Sequence, residues 1–112
     1  MASDRFATLP EAPYFVVTFA SQRREGDQGY AEMADRMAEL AAQQPGYLGA
    51  ESARDAEGFG ITNSFWADEA SIQAWKRDVD HLAAQQLGRQ KWYASYRIRI
   101  ARVTRAYGFD GA

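Results

Sequence analysis

His81 is the only histidine among 112 residues, and so the only side chain whose unperturbed pKa lies near neutrality. It heads a row, His81, Gln85 and Arg89, spaced four residues apart, so a helix would stack a base, an amide and a fixed cation along one face. Such a row could bind a phenolate or carboxylate and move a proton, with Asp78 three residues upstream placed to orient the imidazole. On a straight helix, however, His81 stands about 145° from the centre of the neighbouring apolar stripe, at 100° per residue. That directs it toward solvent or a partner subunit.

Asn63 is the second polar candidate, because strand alternation groups it with Phe59, Ile61 and Phe65. An amide among apolar groups must find partners or lose about 1–3 kcal/mol on desolvation, and a bond across a sheet would meet that demand as well as a ligand would. Trp66 and Trp75 could stack on a flat aromatic molecule, or could equally be core. Tyr93, Tyr96 and Arg99 add donors that packing explains equally well. One histidine without a cluster of further ligands falls short of a metal site, so none is expected. No phosphate loop, dinucleotide fingerprint or nucleophile elbow occurs.

The elements that must position these residues follow from periodicity. Residues 1–12 form a polar arm, and Tyr14 to Ala20 is β-branched, aromatic and too short for a helix, so it is expected as a strand. Arg23-Arg24-Glu25-Gly26-Asp27 is expected as a turn, with Asp27 as N-cap. Tyr30, Met33, Ala34, Met37, Leu40 and Ala41 fall at helical spacing, which Pro45-Gly46 stops. Tyr47–Ser52 and Phe59–Trp66 are two strands joined by the hairpin turn Asp55-Ala56-Glu57-Gly58. Asp68 and Glu69 put acidic groups at the start of a second helix with the stripe Ile72, Trp75, Val79, Leu82, Ala83 and Gln86. A last strand is expected over Ser95–Tyr107.

The order β-α-β-β-α-β predicts an α+β, ferredoxin-like domain over residues 13–109, with a short tail at 110–112: a four-stranded antiparallel sheet carrying both helices on one face. The first strand is apolar on both sides, Phe15, Val17 and Phe19 on one and Tyr14 and Val16 on the other. Two helices cover one face only, so a second copy covering the other in a two-fold homodimer is the simplest arrangement.

Composition narrows the partners. The net charge of −2 and 25% charged residues give no general attraction to nucleic acid or to an anionic membrane surface. The local density at Lys91 and at Arg97, Arg99 and Arg102 fits a solvated strand face or interface salt bridges better than a nucleic-acid groove. Cysteine is absent, which removes disulfides, thiolate metal sites and cysteine nucleophiles and suits a reducing, cytoplasmic location. The first residues lack the apolar core of a secretory signal, and no apolar run approaches a membrane span.

The segment Phe65-Trp66-Ala67-Asp68-Glu69-Ala70-Ser71-Ile72-Gln73-Ala74-Trp75, followed by His81 to Arg89, Trp92-Tyr93 and Tyr96, resembles antibiotic-biosynthesis-monooxygenase domains. The resemblance covers roughly residues 13 to 109 and implies a dimeric α+β barrel and oxygen-dependent oxidation. Some relatives oxidise aromatic polyketides without a cofactor, using a Trp and an Asn, parts that Trp66 and Asn63 could play. Others degrade haem with a pocket Asn, a Trp and a haem-ligating His. On this chain the resemblance puts Trp75 at that Trp, but Phe19 near the Asn and Gln85, not His81, at the His. Gln is a poor haem ligand beside imidazole, which argues against haem turnover.

The expected function is therefore cofactor-independent monooxygenation of a small, electron-rich aromatic molecule. A pocket between the second helix and the sheet, reached by Asn63, Trp75 and His81 or Gln85, would serve it, with Trp66 and Tyr93 as further lining and Arg89 on the anion. A haem-binding or haem-degrading protein and a non-catalytic dimeric small-molecule binder are the alternatives.

Overall fold

The computed structural model describes residues 5–26, 29–85 and 92–111, with the backbone alone at 83–85. The chain forms β1 (Tyr14–Arg23), α1 (Tyr30–Ala42), β2 (Tyr47–Arg54), β3 (Phe59–Trp66), α2 (Glu69–Gln85) and β4 (Tyr93–Val103). All strand pairs are antiparallel, in the order β2-β3-β1-β4. This is the ferredoxin-like arrangement that the periodicity predicts.

Several boundaries differ from expectation by a few residues: β2 ends at Arg54, not Ser52, β4 starts at Tyr93, not Ser95, and two further differences have a hydrogen-bonding reason. β1 runs on to Arg23, because Gln22 still pairs with Phe59 and Arg23 pairs with Tyr93 across a bulge. β4 stops at Val103, which lies opposite Tyr14, the first residue of β1. Pro13 precedes Tyr14 and has no N–H to continue the ladder. The start of α1 differs too: its N-cap is Gly29, at φ 85° with no side-chain cap, while Asp27 lies outside the described residues.

The sheet register assigns the faces. Phe15, Val17, Phe19 and Ser21 of β1 share a face with Trp66, Ser64, Thr62 and Gly60 of β3, and this face carries the helices. Its centre is Val17, Ala41, Trp66 and Ile72, with Phe15, Tyr47 and Trp75 packed around them. A second cluster toward the other end of the sheet joins Met33, Leu82, Trp92 and Tyr93, flanked by Phe19, Tyr30, Met37, Leu40 and Tyr96. The opposite, outer face presents Val16, Thr18 and Ala20 beside Phe65, Asn63 and Ile61. The N-terminal arm reaches this face through the Ala7 amide, which donates to Glu51 Oε2 at 3.0 Å.

The joint leading into α2 is tightly tied. The Ser71 amide donates to Asp68 Oδ1 at 2.7 Å, an N-cap bond that satisfies an otherwise open helix donor. The Gly46 amide in turn donates to Ser71 Oγ at 3.0 Å, and the Ala67 amide to the Gly46 carbonyl at 2.7 Å. A Cβ on Gly46 would stand 2.7 Å from both Asp68 Oδ2 and Ser71 Oγ, so a larger residue would displace the two side chains that tie this joint. Asp68→Ala is expected to lower stability by about 1 kcal/mol, read as a lower urea midpoint at unchanged slope.

Candidate functional site

The two tryptophans are core residues by geometry. Trp66 is fully buried, its ring meeting Tyr47 edge-on and Trp75 at a tilt, both at 5.3 Å between centroids. Its indole N–H donates to Ser64 Oγ at 2.9 Å, a partner two residues back on the same strand and therefore on the same face. Trp75 donates to the Met37 carbonyl of α1 at 3.1 Å and so locks the two helices together. Both indoles thus have their polar atom satisfied by protein.

Asn63 sits on the other side of the sheet. It is half-buried, and its Oδ1 accepts a 2.7 Å hydrogen bond from the Thr18 hydroxyl directly across the ladder. The sheet therefore separates Asn63 from Trp75, and one intramolecular pocket does not hold both. Alternation identified the companions of Asn63 correctly; which face the helices would cover was decided by packing.

His81 is exposed on α2, as the helical angle requires. Asp78 does not wait idle beside it: its Oδ2 accepts from Gln44 Nε2 at 3.1 Å. The Gln85 side chain and all of Arg89 lie outside the described residues. Leu82, next to His81, turns inward onto the second cluster.

That second cluster gathers aromatic groups at one end of the fold. Phe19 meets Tyr93 edge-on at 5.3 Å and Tyr96 at 5.4 Å, and Tyr30 stands at 90° to Tyr93 at 5.7 Å. Phe19, near the position where haem-degrading relatives carry Asn, is thus an aromatic packing residue and no donor. Burial first, then the hydrogen bond and proximity of Tyr30, push the Tyr93 phenol well above its ordinary ionisation range, with Arg54 and Arg23 opposing. The buried Tyr93 phenol is accordingly held in its neutral form. Burial also raises the Tyr47 phenol.

Two surface depressions flank this core. A groove of about 620 Å³ lies where α2 starts against β4, lined by Pro13, Phe15, Ala67, Glu69 and Ile100 to Arg102. Glu69 and His81 are 12 residues apart on α2, roughly 18 Å at 1.5 Å per residue, so this groove is remote from the histidine. A second cleft of about 430 Å³ is lined by Arg23, Arg24, Arg54 and the β2–β3 turn. Sequence reasoning placed Arg23 and Arg24 in a turn and passed over Arg54. No local signal marked it, because the room for its long side chain comes from the pairing of two small residues, Ser21 and Gly60, on the inward face, which is a matter of strand register.

Among the described residues no group of three or more His, Cys, Asp or Glu side chains is placed to hold a metal ion, and no helix is long and apolar enough to cross a membrane.

Comparison with known proteins agrees with this architecture. The chain is 48% identical over 102 residues to the uncharacterised protein YqjZ of Bacillus subtilis (strain 168), covering 91% of this chain and 90% of that one. Its fold is similar to a Nitrosomonas europaea protein of unknown function, NE2512, with a TM-score of 0.68 at 14% identity over 91% of this chain and all of that one. It is similar also to SnoaB, a cofactor-independent oxygenase from Streptomyces nogalater, with a TM-score of 0.64 at 14% identity over 89% of this chain and all of that one. The profile of the antibiotic biosynthesis monooxygenase family matches residues 13–87, two-thirds of the chain, from the first strand to the end of the second helix. The protein is a member of the antibiotic biosynthesis monooxygenase family.

Proposed function

We propose that the protein is a cofactor-independent monooxygenase acting on a small phenol- or quinol-like aromatic molecule, bound beside the aromatic end of the core. The observation that carries this reading is the convergence of Phe19, Tyr30, Tyr93 and Tyr96 next to the α2 turn that bears His81. Aromatic faces suit a flat aromatic ring, and an imidazole is a side chain that can take up a proton.

The chemistry balances without an external reductant. A phenol and O2 give a quinone and water: one oxygen atom becomes the new carbonyl, the other leaves as water, and the ring supplies all four electrons. Deprotonation by His81 makes the ring electron-rich enough to reduce O2. Tyr93 is assigned to line the site, and Gln85 and Arg89, four and eight residues beyond His81 in the sequence, are assigned to the anion. Trp66 and Trp75 belong to the other cluster and support the fold, not the wall of this site. Asn63 with Thr18 would touch a substrate only between two copies of the chain.

Oxygen uptake with a panel of hydroquinones and anthrones tests this. His81→Ala is expected to lower kcat at least about 100-fold, the scale of a lost general base, while Asn63→Ala leaves it within a few-fold. Haem titration is expected to give no Soret shift. Uptake that is absent, or equal in wild type and His81→Ala, would leave a non-catalytic small-molecule binder as the better account.

A further inference from the structure

We propose that the cleft between the end of β1 and the β2–β3 turn is a binding site for a small oxyanion, the carboxylate or phosphoryl group of a small molecule, held by Arg23 and Arg54. It adjoins the aromatic group assigned to the oxidation and shares Tyr30 with it, but its test reads arginine resonances and anion affinity, not turnover, so the two readings can fail separately.

Two cations converge here on one ring. The Arg23 guanidinium carbon stands 3.6 Å from the centroid of Tyr30, and that of Arg54 stands 5.9 Å from the same centroid. Two cations beside one ring make a locally positive patch, which an anion bound there would neutralise. Among the described residues neither guanidinium has a carboxylate within salt-bridge distance; the ion pair present is Lys76 with Asp80, elsewhere on α2. The acids that line the cleft are Glu25, Asp55 and Glu57. Asp55 is engaged through Oδ1 with the amides of Glu57 and Phe59, at 3.0 and 2.9 Å, and so closes the turn. Glu25 and Glu57 stand exposed at the rim.

The arginine donors go to neutral oxygens and are not used up. Arginine carries five N–H donors; Arg23 places one of them on the Gly26 carbonyl at 3.0 Å, and its Nε is buried without a hydrogen-bond partner. Arg54 donates from Nη2 to the hydroxyl of Ser21 at 2.9 Å and from Nη1 to the carbonyls of Ser21 and Gly58. Ser21 is only 2% exposed, so a buried hydroxyl fixes one end of the guanidinium fork. The other feature that fixes it is a missing side chain. A Cβ on Gly60 would lie 2.7 Å from Arg54 Cζ, so the guanidinium rests flat on bare backbone. Arg54 is thereby pre-organised with Nε and part of Nη2 still open, the arrangement that binds a planar or tetrahedral oxyanion by paired donors.

The test uses the full chain with inorganic phosphate and, separately, benzoate, at ionic strength held constant with sodium chloride. Arginine Nε–H resonances of ¹⁵N-labelled protein report the site, and calorimetry gives the affinity. A saturable shift at Arg23 and Arg54 is expected with at least one probe: phosphate alone assigns a phosphoryl ligand, benzoate alone a carboxylate, and both the shared oxyanion chemistry. Arg54→Gln is expected to weaken binding at least tenfold. Gly60→Ala, which retains every charge but pushes the guanidinium off its seat, is expected to weaken it comparably, and Arg54→Lys part of the way. Circular dichroism and the unfolding midpoint establish that each variant is folded. No saturable shift with either probe would overturn the proposal, as would equal affinity in wild type, Arg54→Gln and Gly60→Ala.

Discussion

Trp66→Ala is expected to lower the unfolding free energy by about 3–5 kcal/mol. Trp66 is completely enclosed, and its ring is held between Tyr47 of β2 and Trp75 of α2. Truncation would remove the contact through which β3 supports both, and the enclosing side chains belong to a sheet and a paired helix that cannot simply collapse into the void. It would also leave the Ser64 hydroxyl, buried on the same face, without its indole donor. Trp66→Phe keeps a ring in place and separates the two contributions; its loss should be nearer 1–3 kcal/mol, the scale of an unsatisfied buried polar group. Urea unfolding followed by circular dichroism measures both. An alanine variant with a wild-type midpoint would sink the assignment of Trp66 to the core and restore it as a candidate pocket wall.

Ile61→Arg is expected to convert a dimer into a folded monomer. The homodimer is itself a proposal, and it rests on the outer sheet face: Phe59 is 47% and Ile61 43% exposed, on the same side as Val16, Asn63 and Val103. Two large apolar side chains exposed on an open sheet face, with Thr18, Asn63, Arg97 and Arg99 beside them, form a mixed surface that an identical face can cover in a two-fold pairing. An arginine introduced into such a contact must surrender hydration on pairing, a penalty of several kcal/mol. That corresponds to a weakening of association by 100-fold or more. Because Ile61 is already exposed in the single chain, the fold itself should survive. Sedimentation velocity at micromolar concentration distinguishes the cases: wild type sedimenting as a monomer, or the variant remaining a dimer, refutes the pairing of outer faces.

The legible part of the fold was local. Apolar spacing from Tyr30 to Ala41 and from Ile72 to Leu82 marked the helices, and the aromatic, β-branched run from Tyr14 marked β1. The Asp55–Gly58 turn, with Asp55 capping two amides, needed no distant contact to be recognised. The angular position of His81, away from the apolar stripe, was also a property of one helix alone, and its exposure agrees. The expected run of β4 to Tyr107 failed for the opposite reason. Strand length there is set by the partner, and the partner begins at Tyr14 behind a proline.

The candidate sites divide along the same line. The sequence by itself determined the order β-α-β-β-α-β, the two-sided apolarity of β1, and the grouping of Asn63 with Phe59, Ile61 and Phe65, because side-chain alternation is an intrinsic property of a strand. It did not determine which of the two groups the helices would cover, and so could not tell that Asn63 and Trp75 lie on opposite sides of the sheet. Nor could it bring Arg54 of β2 onto Ser21 of β1 across Gly60 of β3. Those three residues are linked only by the register of two strand pairs, which is decided by side chains far apart in the chain packing into one core.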